Sequence, residues 1–488
     1  MHKKKQAIVV GSGIAGIASA IRMAKKGYAV SVYEANPYPG GKLTVLQLGS
    51  YRFDAGPSLF TMPQYIDELF HLCGEDPRVS FNYYTSPTSC HYFYEDGTFL
   101  PLSSDRAKML ATLQKQLDID PKIVERHLQK SAYIYRKTGP VFLERSLHKL
   151  SSYLKRDLIP AVTSIPRLGI FTTMHAANKK ALKHPKLVQL FDRYATYNGS
   201  NPYQAPGILN IIPHLEHGIG TFFPKKGMHD ITNQLVALAK RNGVEFYLNT
   251  RVEEIVENGK SVKGIRVNGE FIPAEMVICN SDVKPAYKNL LKHTKAPKKT
   301  LEQEPSSSAM IFYWGIKKSF PQLDLHNILF SADYKTEFDH IFRKGSVYSD
   351  PTIYIHISSK LVKEDAPSTC ENWFVMVNVP SNSEQDWEQL RKEIRASMVK
   401  KINRMLQVDI EALIEEEDYL DPIRIEQRTS SFAGALYGAS SNERMAAFFR
   451  HPNFSKVKGL YFVGGSVHPG GGIPLCLLSA KIATDLID

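Results

Sequence analysis

Apolar residues near the start of the chain change their spacing within a few positions. Ala7-Ile8-Val9-Val10 reads as a short strand, and Ile14, Ile17, Ala18 and Ile21 then recur at i, i+3, i+4 and i+7, which predicts an amphipathic helix. Gly27 ends that helix and Ala29-Val30-Ser31-Val32-Tyr33 predicts a second strand, completing a βαβ unit. From about 95 to 190 the pattern is mainly helical. A helix with Ile231, Leu235, Leu238 and Ala239 on one face follows, then a strand, a β-meander with turns at Asn258-Gly259 and Asn268-Gly269, and a strand Met276–Cys279. Apolar strands at 309–315, 352–357 and 373–379 alternate with polar helices, which predicts a second sheet over 285–420. Residues 459–487 return to strand, glycine-rich turn and helix. Pro474 stands at that helix's start, and Leu475, Leu478, Ile482 and Leu486 share one face.

These patterns predict an α/β fold with a Rossmann-type part and a second, mixed-sheet part. Five segments are expected: 1–95, 216–284 and 421–488 as parts of a cofactor-binding domain, 96–215 as a helical basic region, and 285–420 as a substrate-binding sheet. Composition is that of an ordinary globular protein, 43% hydrophobic and 23% charged. Cys73, Cys90, Cys279, Cys370 and Cys476 are scattered, odd in number and never spaced C-x-x-C. They imply neither a disulfide framework nor a metal site and favour a reducing, cytoplasmic setting. Tyr194 to Leu215 and Gly459 to Ala480 each run 22 residues without Lys, Arg, Asp or Glu, but Pro, Gly, Asn, Gln and Ser interrupt them. They are expected to be buried backbone packed around a ligand rather than membrane spans.

Charge changes the picture in one place. The net charge is +12, and residues 101–190 hold 17 Lys and Arg against 6 Asp and Glu, nearly the whole excess. No recognition motif accompanies this run, so nucleic-acid binding is not expected. Leu150, Tyr153, Leu154, Leu158, Ile159, Ile165, Leu168, Ile170 and Phe171 are interleaved with the charges. Basic groups flanking apolar ones suit a solvated helical face, or a protein resting on an anionic membrane surface, and the second reading is preferred.

The turn of the βαβ unit carries Gly11, Gly13 and Gly16. In such a unit the first glycine permits the tight turn, the second lets backbone approach a pyrophosphate, and the third lets helix and strand pack closely. Glu34, at the tip of the second strand, is placed to accept hydrogen bonds from an adenosine ribose. His2-Lys3-Lys4-Lys5 ahead of small apolar residues also has the outline of an export signal. Strand, helix, second strand and terminal acid together favour dinucleotide binding over that reading and over plain packing. With no second G-x-G-x-x-G, and with strand, glycine turn and helix at both ends of the chain, one stretched dinucleotide points to FAD more readily than NAD.

The motifs "PGGKL…FDAGPSLF", "GTFFPKKGMHDI" and "VGGSVHPGGGIPLCLLSA" resemble the bacterial flavin-containing carotenoid desaturases, the phytoene desaturase group within the amine-oxidase-like flavoproteins. "RYATYNGSNPYQAP" resembles the branch acting on hydroxylated carotenes, the 3,4-desaturases. The resemblance implies that Gly11, Ser12, Gly13, Ala15 and Gly16 hold the FAD pyrophosphate, with Glu34 at the ribose and Ala35 beside it among the cofactor-binding positions. It implies Gly41 and Lys42 along the phosphates, Gly56, Pro57 and Ser58 near the isoalloxazine, and Val252 at the adenine. Gly465, Ser466, Gly472, Ile473 and Pro474 would lie at the flavin and ribityl end. Two departures stand out: Tyr38 replaces a common basic residue, and the Gly464-Gly465-Ser466 turn lacks an acid.

The implied reaction removes hydride from an allylic C–H of an acyclic or monocyclic carotene to flavin N5, after which the delocalised cation loses a proton. No strong base is compulsory. The partial positive charge of the helix beginning near Pro474 would stabilise reduced flavin. His468 is the candidate acid or base, set against a turn-shaping histidine; Cys476 reads as a packed thiol rather than a covalent flavin link. Arg193, Tyr194 and Tyr203, in the branch-specific stretch, are candidates for a substrate channel, and helical packing is an equal reading of each. A carotene must enter from a bilayer, so peripheral association with the cell membrane is expected, with oxygen or a quinone as final electron acceptor. Phytoene desaturase proper, carotenoid cis–trans isomerase, amine oxidase and a flavin-free prenyl-lipid escort are the alternatives.

Overall fold

The computed structural model describes residues 4–149, 163–443 and 446–487. Gln6–Val10 forms the middle of a parallel five-stranded sheet, flanked by Met276–Cys279 and Leu460–Phe462 on one side and Ala29–Tyr33 and Glu245–Tyr247 on the other. Side chains of a strand alternate between faces. Ala7 and Val9 therefore join the helices Ile14–Lys25, Asp230–Arg241 and Ile473–Asp485, while Ile8 and Val10 meet the meander Val252–Glu257, Val262–Val267 and Glu270–Pro273. A strand buried on both faces reads as an unbroken apolar run, which is why this one shows no alternation in sequence.

The second sheet has seven strands, in the order Ile414–Leu420, Ser308–Ile316, Glu371–Val379, Ile353–Ile357, His326–Leu329, Thr88–Phe93 and Phe99–Ser103. All nine residues of Ser308–Ile316 are buried. Met310, Phe312, Trp314 and Ile316 face the long helix Trp387–Leu406 through Ile394, Met398 and Ile402, and Ala309, Ile311 and Tyr313 face Tyr51 and Phe53. A boundary at 95 falls inside the hairpin Thr88–Ser103, which belongs to this sheet through the parallel pairing of His91 to Phe93 with Asn327 to Leu329. Alternation marked these residues as strands; their sheet is set by a partner more than 230 residues away.

The helical layer contains Arg106–Leu117, Pro121–Thr138, Met174–Leu182 and Pro185–Asp192. Of the apolar groups expected on a lipid-facing surface, Leu150, Tyr153, Leu154, Leu158 and Ile159 lie outside the described residues. Leu168 and Ile170 turn inward and pack with Ile134 and Ile208, because the chain tucks under the end of Pro121–Thr138. Phe171 alone of the remaining set is strongly exposed, at 71%. Among the described residues no helix is long and apolar enough to cross a membrane.

Candidate active site

One cavity of about 920 Å³ lies between the parallel sheet, the helical layer and the second sheet. It is near the top of the roughly 300–1,000 Å³ range of small-molecule sites. Both uncharged stretches contribute to its wall, Tyr197 and Leu209 from the first and Gly465 and Gly472 from the second.

The turn after Gln6–Val10 is drawn tight by Gly11, at φ +92°, whose N–H donates to the Tyr33 carbonyl at 2.8 Å. A Cβ at Gly16 would stand 2.2 Å from the Gly11 carbonyl oxygen, so only glycine lets the helix sit this close to the strand. The helix Ile14–Lys25 begins at Gly13 with no side-chain cap and no acid in its first turn, leaving its positive end open to the cavity. The helix Ile473–Asp485 begins in the same way at Gly472, with Pro474 in its first turn.

Glu34 is buried at the end of Ala29–Tyr33. Its Oε2 accepts from the Ser12 N–H (2.8 Å) and hydroxyl (2.7 Å), and its Oε1 from the N–H and side-chain amide of Asn36, both at 2.9 Å. Four protein donors meet about four lone-pair sites, so a ribose hydroxyl must displace one of them. The Lys42 ammonium donates to the carbonyls of Ala435 (3.0 Å) and Leu436 (2.8 Å), and burial lowers its pKa. Gly11, Gly13, Ala15, Glu34, Ala35, Gly41, Lys42, Gly56, Pro57, Ser58, Val252, Gly465, Ser466, Gly472, Ile473 and Pro474 all line the cavity; Ser12 and Gly16 lie just behind the wall.

His468 is not on the wall. It is buried, and its Nε2 lies 2.8 Å from the Arg145 carbonyl, which can only accept, so Nε2 carries the proton. Burial pushes its pKa down to about 4, which keeps the ring neutral. This geometry is that of a histidine shaping the turn. Arg193 reaches the wall, whereas Tyr194 stands behind it and Tyr203 packs on His175, with ring centroids 4.5 Å apart. Cys476 lines the cavity with a thiol that burial pushes up to about 11, hence protonated.

Asn280 and Arg450 were not visible in the sequence. Asn280 Oδ1 accepts from the Gly16 N–H at 3.1 Å while its Nδ2 donates to the Val463 carbonyl at 3.1 Å, joining the two glycine turns. Arg450 is fully buried and donates to the carbonyls of Tyr437 (2.9 Å), Gly465 (3.2 Å) and Ala439 (2.8 Å) and to Asn198 Oδ1 (3.0 Å). No motif marks either residue.

A family model described as flavin containing amine oxidoreductase matches residues 14–488. The chain belongs to that family. It is 53% identical over 484 residues, 99% of both chains, to a 1-hydroxycarotenoid 3,4-desaturase of Flavobacterium sp. (strain P99-3). It is 32% identical to a 4,4'-diaponeurosporene oxygenase of Staphylococcus aureus (strain MRSA252), covering 99% of this chain and 98% of the relative. Among solved structures, cyclohexylamine oxidase from Brevibacterium oxydans IH-35A superposes with a TM-score of 0.64 at 14% identity, 99% of each chain being covered, a likeness of fold. The likeness to the carotenoid desaturases expected from the motifs is therefore borne out, and this family member is an FAD-dependent oxidoreductase. The residues present fit that cofactor. Two helix N-termini whose capping residues are glycines open on one cavity, and at Gly472, φ +102°, an added Cβ would meet no protein atom within 4 Å.

Proposed function

We propose that this protein is a carotenoid desaturase that acts on an acyclic or monocyclic 1-hydroxylated carotene and lengthens its polyene at the 3,4 bond. The observation that carries the reading is the continuity of one cavity from the glycine turns to an apolar wall of Ile208, Leu209, Ile311, Ile328, Phe374 and Met376. The 53% identity to a 1-hydroxycarotenoid 3,4-desaturase supports the choice of branch. Gly11, Ser12, Gly13, Ala15, Gly16, Gly41 and Lys42 are assigned to the pyrophosphate, Glu34 and Ala35 to the ribose, and Val252 to the adenine. Gly56, Pro57, Ser58, Gly465, Ser466, Gly472, Ile473 and Pro474 are assigned to the ring and ribityl end.

Bound FAD supplies a hydride acceptor. The apolar wall aligns the polyene and excludes water, so proximity does much of the work. The N-terminus of Ile473–Asp485 offers positive potential without a charged side chain, favouring negative charge beside it. The proton lost afterwards comes from a carbon chain whose positive charge is spread along many atoms, so no strong base is needed on the wall. A water-insoluble substrate reaches the cavity from a bilayer, and the exposed Phe171 next to the Ile170–Ile208 cluster is a fitting contact for a membrane surface.

The test incubates the FAD-loaded protein anaerobically with liposomes carrying a 1-hydroxylated carotene or phytoene, following flavin bleaching and the polyene spectrum together. The expected result is bleaching with a red-shifted polyene for the hydroxylated carotene. Change with phytoene alone reassigns the protein to phytoene desaturation. Flavin that stays oxidised with both carotenes overturns the reading in favour of amine oxidation or another substrate.

A further inference from the structure

In the apolar part of the cavity wall sits a charged pair. Arg193 Nη2 lies 3.1 Å from Glu216 Oε1, both side chains are about 95% buried, and Ile208, Leu209, Ile212 and Leu215 surround the same stretch of wall. Tyrosine hydroxyls satisfy most of the pair. Tyr194 donates to Glu216 Oε1 at 2.9 Å, Tyr197 donates to Oε2 at 2.8 Å, Arg193 Nε donates to Tyr92 at 3.1 Å, and Arg193 Nη1 donates to Tyr197 at 2.7 Å. A buried pair of this kind does not stabilise a fold more than packed aliphatic residues would. Its position on the wall calls for another account.

Donor and acceptor arithmetic supplies one. The Tyr197 oxygen gives its proton to Glu216 and takes one from Arg193, which leaves one acceptor site. Arg193 Nη1 has a second N–H, for which no acceptor stands among the described residues. Arg193, Tyr197 and Glu216 all face the cavity; Tyr92 and Tyr194 brace them from behind. The wall thus presents one acceptor beside one donor, the complement of an alcohol, which both gives and takes a hydrogen bond. A carbonyl would meet only the donor, and a hydrocarbon would leave both groups buried and unmet.

We propose that Tyr197 and Arg193 form the hydroxyl-binding anchor for the terminal alcohol of the substrate, with Glu216 holding both in place. This rests on the carotenoid desaturase reading and deepens it. The hydroxylated carbon lies two bonds from the first carbon of the 3,4 bond, so holding the alcohol fixes which C–H bonds are presented. The short helix Arg193–Asn198 that bears the anchor is tied to the closing glycine turn, since Asn198 Oδ1 accepts from Arg450, which also donates to the Gly465 carbonyl. Tyr197 and Arg193 are specificity-determining residues, and Glu216 is a positioning residue.

Two measurements on the full-length, FAD-loaded protein test the proposal. The first compares a 1-hydroxylated acyclic carotene, its 1-methoxy ether and the same carotene without oxygen, all in liposomes. Turnover gives kcat and KM, and quenching of protein fluorescence after dithionite reduction gives binding without turnover. The ether accepts from Arg193 but has no proton for Tyr197, so kcat/KM should fall at least about tenfold from alcohol to ether and about 100-fold or more to the hydrocarbon. Equal values for the three substrates overturn the proposal without any variant. The second uses Tyr197→Phe, which should shrink the alcohol-to-hydrocarbon ratio at least about tenfold, in binding and KM more than in kcat. A variant that retains the wild-type ratio removes the anchor while the desaturase reading stands. If the wild type transforms none of the three, the desaturase reading itself fails.

Discussion

Asn280 joins the two glycine turns that face the cavity, and a single amide does it. Its two hydrogen bonds reach Gly16 at one end of the chain and Val463 at the other, and a Cβ at Gly464 would stand 2.7 Å from its Nδ2. Asn280→Ala should cost about 1–3 kcal/mol by leaving a buried N–H and carbonyl unmet. It should also lower the flavin-to-protein absorbance ratio after gel filtration; an unchanged ratio and unchanged urea midpoint would show that the bridge is dispensable. Asn280→Asp keeps the acceptor for Gly16 and loses the donor, so it should fall between the two. The difference between the legible and the illegible site residues is one of sequence distance. Gly11, Gly13, Gly16 and Glu34 are legible because their jobs are done within one βαβ unit, where spacing alone reports them. Asn280 acts on residues 264 and 183 positions away, and Arg450 answers three backbone carbonyls and one side-chain amide drawn from three separate stretches of chain, so no local pattern announces either. His468 shows the converse: a histidine in a glycine-rich motif looks chemical, yet its ring serves the Arg145 carbonyl.

Elements with a clear period were readable almost to their ends. The expected second strand coincides with Ala29–Tyr33, the last strand of the meander region with Met276–Cys279, and the helix expected from Ile14 begins there. Which sheet a hairpin joins was not readable, as Thr88–Phe93 and Phe99–Ser103 demonstrate, because alternation says only that one face is wet or dry. Tyr203 was equally opaque, since a tyrosine on either side of a packed layer has the same neighbours in sequence. The helix pair Ile14–Lys25 and Ile473–Asp485 makes the strongest demand on small residues. Ala18, Ala20, Ala480 and Ala483 are all fully buried where the two helices share one core. Ala480→Leu should therefore destabilise by about 1–3 kcal/mol through overpacking, despite the better apolar transfer of leucine. The urea midpoint reads this directly, and a midpoint equal to or above that of the parent chain would mean that the helices can move apart.

At the scale of the whole molecule the buried histidines set the response to acid. Burial holds His127, His217, His356, His451 and His468 each at about 4. In the unfolded chain they return to about 6.5. A histidine folded in its neutral form contributes stability that is complete above the unfolded value and disappears as pH falls toward the folded one. Glu337, pushed up to about 7 by burial, works in the opposite direction and offsets part of the loss. Thermal midpoints of the holoenzyme should hold steady from pH 8 to 7 and drop by several degrees, on the order of a few kcal/mol, between pH 6.5 and 5. A midpoint that is flat down to pH 5 would show that these rings, once protonated, find acceptors. The parallel sheet draws its five strands from widely separated parts of the chain, and within it the edge strand Leu460–Phe462 pairs with Met276–Cys279. A ribosome making this protein at about 5–20 residues per second delivers that edge long after Gln6–Val10. The two glycine turns that face the cavity, at Gly11 and Gly465, therefore come together only in a chain made at least as far as Gly465, and a nascent chain stalled before Leu460 presents half a cradle.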